Sequence, residues 1–267
     1  MLMPRNEFAA QTDQKPGRPA PWRKHGSMPV ANPPLSAPAP KWINGGPHHF
    51  RAFAAAWHIP ASAQTAQTGQ WAAGPGAEFF TAVQRELGAL PFIAEDLGVI
   101  TPDVRALRDQ FHLPGMRVLQ FAFDGNSDNP YLPHNYISNT IVYTGTHDNP
   151  TTRGWYEDLP GPQRQNVWDY LKRPPGDSSE IAGEFIRLAW SSSAALAIAP
   201  LQDLLNLGPE ARMNVPGRAD GNWRWRTTED MLSSPALRAL RELTNRSQRL
   251  GLVGVTVGRE RDEGRNR

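Results

Sequence analysis

The chain has 267 residues and no cysteine, and 39% of its residues are hydrophobic while 20% are charged. These values are typical of a globular protein with one large or two small domains. The lack of cysteine excludes disulfides, thiolate metal sites and cysteine nucleophiles. A net charge of only +2 does not predict a nucleic-acid-binding surface. The sequence predicts neither a membrane span nor a secretory signal, so we expect a cytoplasmic protein without membrane partners.

The two ends of the chain differ from the rest in composition. Residues 1–47 hold 10 of the 26 prolines, and each proline removes an N–H donor and fixes φ. We therefore expect a mostly disordered leader there, and a charged, frayed tail over residues 257–267. The folded part is predicted to span residues 48–256.

Within that part, apolar runs alternate with helical patterns. Strands are predicted over 91–94, 116–123 and 140–144. Helices are predicted over 76–87, from Pro102 with Thr101 as N-cap, and over 162–172, 178–196 and 235–250. This alternation predicts an α/β fold built from parallel βαβ units. Four or five units are too few to close a (β/α)8 barrel, which typically takes about 250 residues.

Two predicted strands end in acidic residues. Glu95 and Asp96 follow one apolar run, at the strand end where α/β folds place active sites. Alternatively, one of them caps the next helix, although Thr101 already occupies that position. His147 and Asp148 follow the other run, and Gly145 before them allows a close backbone approach. Alternatively, Asp148 and the next residue form a polar turn before a proline.

A pair of carboxylates at neighbouring strand ends suits glycosidic chemistry, with one acid for the leaving oxygen and one carboxylate for the oxocarbenium-like centre. The segment Asn222-Trp223-Arg224-Trp225 is either a sugar-stacking platform or a pair of core aromatics in a strand. Adjacent histidines at 48 and 49 point to opposite faces of a strand and have no carboxylate at ligand spacing, so we expect no metal site. The tail mixes its arginines with acids and does not predict nucleic-acid binding.

Several long motifs occur together and in order. They are IAEDLGVITPDVRALRD, LPGMRVLQFAFDG, NPYLPHNY, VYTGTHDNPTTRGW, APLQDLLNLG, ARMNVPG and GNWRWR. The set resembles the 4-α-glucanotransferases, also called amylomaltases or disproportionating enzymes, of the α-amylase-like superfamily. The resemblance covers about residues 48–250. It implies a (β/α)8 barrel that transfers α-1,4-glucan segments between maltooligosaccharides without a cofactor or metal. For this chain, it implies the C-terminal part of that barrel, about strands four to eight with their helices.

The resemblance also assigns roles to residues of this chain. It implies that Glu95 is the acid/base of a retaining double displacement and that Asp148 stabilises the transition state. His147 corresponds to a sugar-hydroxyl contact. Phe121 corresponds to an acceptor-side aromatic, and Asn214 to a contact near the scissile bond.

One position departs from the family pattern. The family carries its nucleophile in an Arg-Ile-Asp-His-Phe-Arg-Gly-Phe segment, where this chain has Gly46-Pro47-His48-His49-Phe50-Arg51-Ala52-Phe53. The nucleophile position is therefore His48, which is no glycosyl acceptor for a double displacement. We expect a truncated and catalytically impaired chain. The alternative is a non-catalytic remnant that binds α-glucans through Trp71, Phe121, His147 and the pair Trp223 and Trp225.

Overall fold

The structure, a computed structural model, describes residues 42–44, 49–88, 92–98, 100–232 and 235–249. The strands are β1 (Trp42–Asn44), β2 (Ala55–Pro60), β3 (Gln70–Ala73), β4 (Gly115–Val118), β5 (Thr140–Tyr143) and β6 (Leu196–Ile198). The helices are α1 (Arg51–Ala54), α2 (Gly76–Leu87), α3 (Pro102–Gln110), α4 (Thr152–Asp158), α5 (Gly161–Leu171), α6 (Ser178–Trp190), α7 (Leu201–Leu204), α8 (Glu229–Leu232) and α9 (Pro235–Arg246). Within these ranges, no helix is both long and apolar enough to cross a bilayer.

An antiparallel sheet of order β1-β2-β3 precedes the predicted βαβ region. Trp57 of β2 pairs with Trp71 of β3, and their rings meet edge to face at 5.2 Å. The indole N–H of Trp57 donates to the carbonyl of Ala66 in the connection, at 2.8 Å. This sheet is absent from the sequence prediction. The strand β1 lies within the proline-rich segment 1–47, whose other residues lie outside the described part of the chain.

The second sheet is parallel, with order β4-β5-β6. Ala94 extends it by a single parallel bridge to Gly115, and the Ala94 N–H donates to the carbonyl of Pro114 at 2.8 Å. The predicted parallel pairing is therefore confirmed. Helices connect Ala94 to β4 and β5 to β6 as predicted, whereas the connection from β4 to β5 contains only 3-10 turns. All four segments run in one direction, so their carboxyl ends meet at one edge.

Two predicted strands are shorter in the structure. The predicted strand over 91–94 pairs only through Ala94, and residue 91 lies outside the described residues. The predicted strand over 116–123 ends at Val118, because Leu119–Phe121 form a 3-10 turn. This turn directs the buried side chain of Gln120 toward the carbonyl of Pro150, to which its amide donates at 3.0 Å.

Most predicted helices are confirmed, and two end earlier than predicted, one of them at Arg246 instead of residue 250. Helix α2 has the predicted bounds, and α3 begins at Pro102 as predicted. The Thr101 side chain makes no capping bond to the backbone of α3. Its hydrogen bond to the side chain of Asp103 instead lowers the pKa of that carboxyl. The predicted helix over 178–196 ends at Trp190, because a run of serines follows it and Ser192 Oγ donates back to the carbonyl of Ala189.

Two apolar clusters hold these elements together. One lies under β5, α5 and α6, with Val142, Trp168 and Phe185 fully buried. The other joins the Phe50 region to α2, α3 and Ala94 through Phe80, Val104 and Leu113. The first cluster supports the strand that leads into His147 and Asp148. The second supports the segment that leads into Glu95.

Candidate functional site

A pocket of about 440 Å³ lies at the carboxyl edge of the parallel sheet. It receives residues from the ends of three parallel segments: Glu95 after the Ala94 bridge, Tyr143 and His147 at and after β5, and Ile198 at the end of β6. Met213 and Trp223 also line it. Ligand sites of open α/β sheets occupy this position, because loops after the strands converge there.

The Asp148 carboxylate is held by two side chains from different parts of the chain. Asn214 Nδ2 donates to Asp148 Oδ1 at 2.5 Å, and His147 Nε2 lies 3.3 Å from the same oxygen. The Asn214 backbone N–H donates to the carbonyl of His147 at 3.0 Å. The predicted residues His147, Asp148 and Asn214 therefore form one cluster.

The backbone around Asp148 is also fixed. Arg212 Nη2 donates to the carbonyl of Asp148 at 2.7 Å, and Arg212 Nε donates to the carbonyl of Asn214 at 2.9 Å. Burial lowers the pKa of Arg212, although the charge of Asp148 opposes this shift. One guanidinium thus joins the two segments that carry Asp148 and Asn214.

The alternative of a polar turn is correct for the residue after Asp148. Asn149 Oδ1 accepts from the N–H and hydroxyl of Thr146, at 2.9 and 2.7 Å. These bonds close a compact turn before Pro150. Asn149 therefore satisfies the turn, and the Asp148 carboxylate is left for Asn214 and His147.

Glu95 reaches the pocket from the neighbouring segment. Its side chain is 37% exposed, and His49 Nδ1 lies 3.8 Å from its Oε1. Its carbonyl accepts from the N–H of Phe50 at 2.9 Å, which fixes its backbone. Burial and the nearby charge of Glu95 both raise the pKa of Tyr143, so a neutral phenol lies beside this carboxylate.

Asp96 has a different role from Glu95. It is 3% exposed and pairs with Arg108 of α3 at 2.6 Å and with Arg117 of β4 at 3.4 Å. It also accepts from the N–H of Met116 at 2.7 Å. The alternative that Asp96 caps the following helix is wrong, because its oxygens bind these partners. It instead fixes the segment that carries Glu95.

Trp223 forms one wall of the pocket. Its indole is half exposed and packs on the His147 ring with centroids 5.2 Å apart. No strand covers residues 222–225 of the described chain, so the alternative of core aromatics in a strand is wrong. Trp71, which is also half exposed, lies on β3, with the Arg51 guanidinium 4.5 Å from its ring centroid.

Two predicted site residues lie apart from this cluster or cannot be placed. The Phe121 ring meets Tyr131 edge to face at 5.4 Å, in the 3-10 turn after β4. His48 lies outside the described residues, whereas the exposed His49 next to it is described.

Two residues that support the site were not predicted from the sequence. Arg212 donates to the carbonyl of Asp148, and the buried Asp203 accepts from the backbone N–H of Thr152, next to the loop that carries Asp148. Both act over a separation of more than 50 residues, as their hydrogen bonds show. A single sequence carries no local signal for such contacts. Arg212 is only two residues from the predicted Asn214, and that proximity was the one available indication.

The chain is similar to known proteins over most of this region. A family model described as 4-alpha-glucanotransferase matches residues 48–232. The chain is 53% identical to the 4-alpha-glucanotransferase of Synechocystis over 187 residues, covering 69% of this chain and 37% of that protein. It is 49% identical to the Thermus thermophilus 4-alpha-glucanotransferase over 206 residues, covering 74% of this chain and 41% of that protein.

The fold is similar to a solved structure as well. The amylomaltase from Streptococcus agalactiae in complex with acarbose superposes with a TM-score of 0.71 at 36% identity, covering 75% of this chain and 40% of that one. The chain thus spans less than half of the length of each of these three relatives.

Proposed function

Because the chain belongs to the 4-alpha-glucanotransferase family, we propose that its pocket binds α-1,4-glucans and carries the acid/base and transition-state-stabilising groups for their transfer. The observation that carries this proposal is that Glu95 and His147 line one pocket at the edge of a parallel sheet, and that His147 contacts the Asp148 carboxylate. The acarbose bound to the related amylomaltase supports an oligosaccharide as ligand.

The roles follow from the chemistry of a retaining transfer. Glu95 gives its proton to the glycosidic oxygen as the bond between that oxygen and the anomeric carbon breaks. The resulting carboxylate later accepts the proton of the acceptor hydroxyl, whose oxygen forms the new bond. Asp148 accepts hydrogen bonds from sugar hydroxyls at the distorted ring, and Asn214 and His147 orient its carboxylate. The neutral Tyr143 next to Glu95 is a hydrogen-bond donor.

The covalent intermediate between these two steps needs a nucleophile, and the matching position is His48. Loss of the nucleophile from a covalent catalytic set lowers the rate by about 10⁴- to 10⁶-fold in hydrolase triads. We therefore propose that this chain binds glucans and performs the double displacement poorly. In this proposal the chain supplies about strands four to eight of a (β/α)8 barrel, and the described parallel sheet contains three strands of that part and the Ala94 bridge.

Disproportionation of maltotriose tests the transfer reaction. We expect glucose release by the unmodified chain to stay at the level of Glu95→Gln, because both lack one of the required groups. His48→Asp restores a carboxylate nucleophile and is expected to raise glucose release above that level. Release by the unmodified chain well above that of Glu95→Gln would contradict the assignment of His48.

A non-catalytic glucan-binding role is the second candidate function, and the half-exposed Trp223 on the His147 ring favours it. Under this alternative, maltoheptaose binds the unmodified chain, and His48→Asp gains no turnover. Under the transfer proposal, His48→Asp gains turnover without a large change in maltoheptaose affinity.

A further inference from the structure

Asp203 is a buried carboxylate to which the proposed chemistry gives no role. It lies in α7 and is 2% exposed. Its Oδ2 accepts from the hydroxyls of Thr144 at 2.5 Å and Thr152 at 2.7 Å, and its Oδ1 accepts from the Thr152 backbone N–H at 2.7 Å. A buried carboxylate needs such donors, because burial without them is costly.

The two threonines stand at the two ends of the loop that carries the site. Thr144 directly follows β5, and Thr152 is the first residue of α4. Between them lie His147 and Asp148. A single carboxylate oxygen, Asp203 Oδ2, therefore binds both ends of this loop and fixes the distance between them.

A second buried side chain packs against the same loop. Gln120 Nε2 donates to the carbonyl of Pro150 at 3.0 Å. A Cβ atom at Gly145 would lie 2.6 Å from that nitrogen, so the loop backbone lies directly on the amide. Gln120 and Asp203 therefore both anchor this loop.

We propose that Asp203 is a positioning residue of the site, which sets the place of Asp148 by holding Thr144 and Thr152 together. This inference rests on the proposed function for its effect on turnover. Its structural part, the control of the loop by Asp203, can be measured without turnover.

Two substitutions of Asp203 are expected to differ in their effect on the three groups that donate to it. Asp203→Ala leaves two hydroxyls and one backbone N–H without their acceptor in a buried site. Asp203→Asn keeps an oxygen for the Thr152 N–H, and the two hydroxyls can rotate to accept from its amide nitrogen. Asn is therefore expected to restore the loop position that Ala loses.

The experiment follows the His147 ring signal by ¹H–¹³C NMR on the full chain, with His147→Gln used to assign it. The signal reports the loop directly, since His147 contacts both Asp148 and Trp223. We expect Asp203→Ala to move the signal and Asp203→Asn to leave it near its original position. The double variant Thr144→Val with Thr152→Val removes only two hydroxyls and is expected to move the signal too, which covers the case that Asp203→Ala does not fold.

Glu184→Ala is the matched control. Glu184 is another buried acid, on α6, and is paired with Arg173 and Arg187. Its loss also removes a buried carboxylate, and we expect an unchanged His147 signal. The inference is overturned if the signal stays in place in both the Asp203→Ala and the double threonine variants, or if it moves as far in Asp203→Asn as in Asp203→Ala.

Turnover supplies the second readout. In a His48→Asp background, we expect Asp203→Ala to lower kcat for maltotriose by about 100-fold with little change in KM, since a displacement of about 1 Å has such an effect. A change confined to KM would overturn the positioning role. If the His48→Asp background itself has no turnover, the proposed function fails, and the His147 signal still decides whether Asp203 positions the loop.

Discussion

At the residue scale, the site depends on hydrogen bonds between segments that are far apart in sequence. Asp148 receives its side-chain partner and its backbone clamp from Asn214 and Arg212. Glu95 instead receives its support from Phe50 and, through its neighbour Asp96, from Arg108 and Arg117. Glu95 and Asp148, the proposed acid/base and stabilising carboxylate, are thus held by two separate sets of contacts.

Arg212→Ala is expected to lower the free energy of unfolding by about 2 kcal/mol, because it removes two charge-assisted hydrogen bonds to the carbonyls of Asp148 and Asn214. Urea denaturation measures this change. Arg212→Lys keeps the charge but not the planar fork, so an intermediate loss is expected. Arg218→Ala, at an exposed position, is the control, and an equal loss there would contradict the clamp.

The stability of the chain is expected to depend on the ionisation of Asp203. Burial raises the pKa of Asp203 in the folded state, and the hydrogen bonds from Thr144 and Thr152 oppose the shift without cancelling it. At a pH between the unfolded pKa of about 4 and the raised folded pKa, Asp203 keeps a proton in the folded chain that it has lost in the unfolded chain. The contribution of this group is therefore most favourable below about pH 4 and declines as the pH rises to the folded pKa.

Urea denaturation of the unmodified chain and Asp203→Asn, at several pH values, tests this sign. Because Asn does not titrate, the difference in free energy of unfolding between the two proteins isolates Asp203. We expect the difference to move in favour of Asp203→Asn as the pH rises above about 4. A difference that is constant, or that moves the opposite way, would mean that the folded pKa is not raised.

The sequence indicated candidate site residues but not the residues that hold them in place. Motif context marked Glu95, His147, Asp148 and Asn214, and the structure brings the last three into direct contact. Local pattern alone could not separate Asp148 from Asn149, because both suit a polar turn. Asp203 could not be predicted, since its partners lie more than 50 residues away.

At the element scale, the C-terminal end of α6 is closed by a side chain from beyond α9. Arg249 donates to the carbonyls of Trp190, Ser192 and Ala194, at 2.7, 2.6 and 2.8 Å. Burial lowers the pKa of this guanidinium. A cation at this position binds carbonyls that a helix end leaves unpaired and complements the helix dipole.

Arg249→Ala is therefore expected to lower the free energy of unfolding by about 2 kcal/mol, through the loss of these bonds. Thermal denaturation followed by circular dichroism reports the loss. Arg246→Ala is the matched control, because the Arg246 side chain is 79% exposed and pairs with Glu242 one turn away on the same helix. Equal effects of the two variants would argue against the clamp.

The antiparallel sheet depends on a glycine next to Trp57. A Cβ atom at Gly69 would lie 2.4 Å from Trp57 Nε1 and 2.8 Å from the carbonyl oxygen of His58. Gly69→Ala is expected to destabilise the chain by about 1–3 kcal/mol, as overpacking does. Gly161→Ala meets no atom within 4 Å and is expected to have almost no effect. Chemical denaturation of both variants makes the comparison, and similar midpoints would contradict the close packing at Gly69.

Periodicity predicted the helices well and the sheets less well. The bounds of α2 are correct because its apolar stripe is regular, and α3 begins at a proline in the first helical position. Strand β4 is shorter than its apolar run because the run continues into a buried turn at the site. The strands β2 and β3 were missed because their residues are only partly buried and lack a clear alternation.

At the scale of the whole molecule, two apolar clusters support the two sides of one pocket. The cluster around Phe80 carries the Glu95 segment, and the cluster around Phe185 carries the β5 loop with Asp148. The pocket lies where the carboxyl ends of the parallel strands meet. A glucan bound there would contact both the Glu95 segment and the loop after β5. Binding therefore tests whether these two segments are held together as a ligand site.

Isothermal titration of maltoheptaose into the unmodified chain, Trp223→Ala and Trp71→Ala tests whether this pocket binds α-1,4-glucans. Trp223 lines the pocket and packs on His147, whereas Trp71 lies on β3 under the Arg51 guanidinium. We expect binding that weakens at least about tenfold in Trp223→Ala, a loss of about 1.4 kcal/mol, and is unchanged in Trp71→Ala. Absence of binding, or a loss in Trp71→Ala with none in Trp223→Ala, would contradict the assignment of this pocket to α-1,4-glucans.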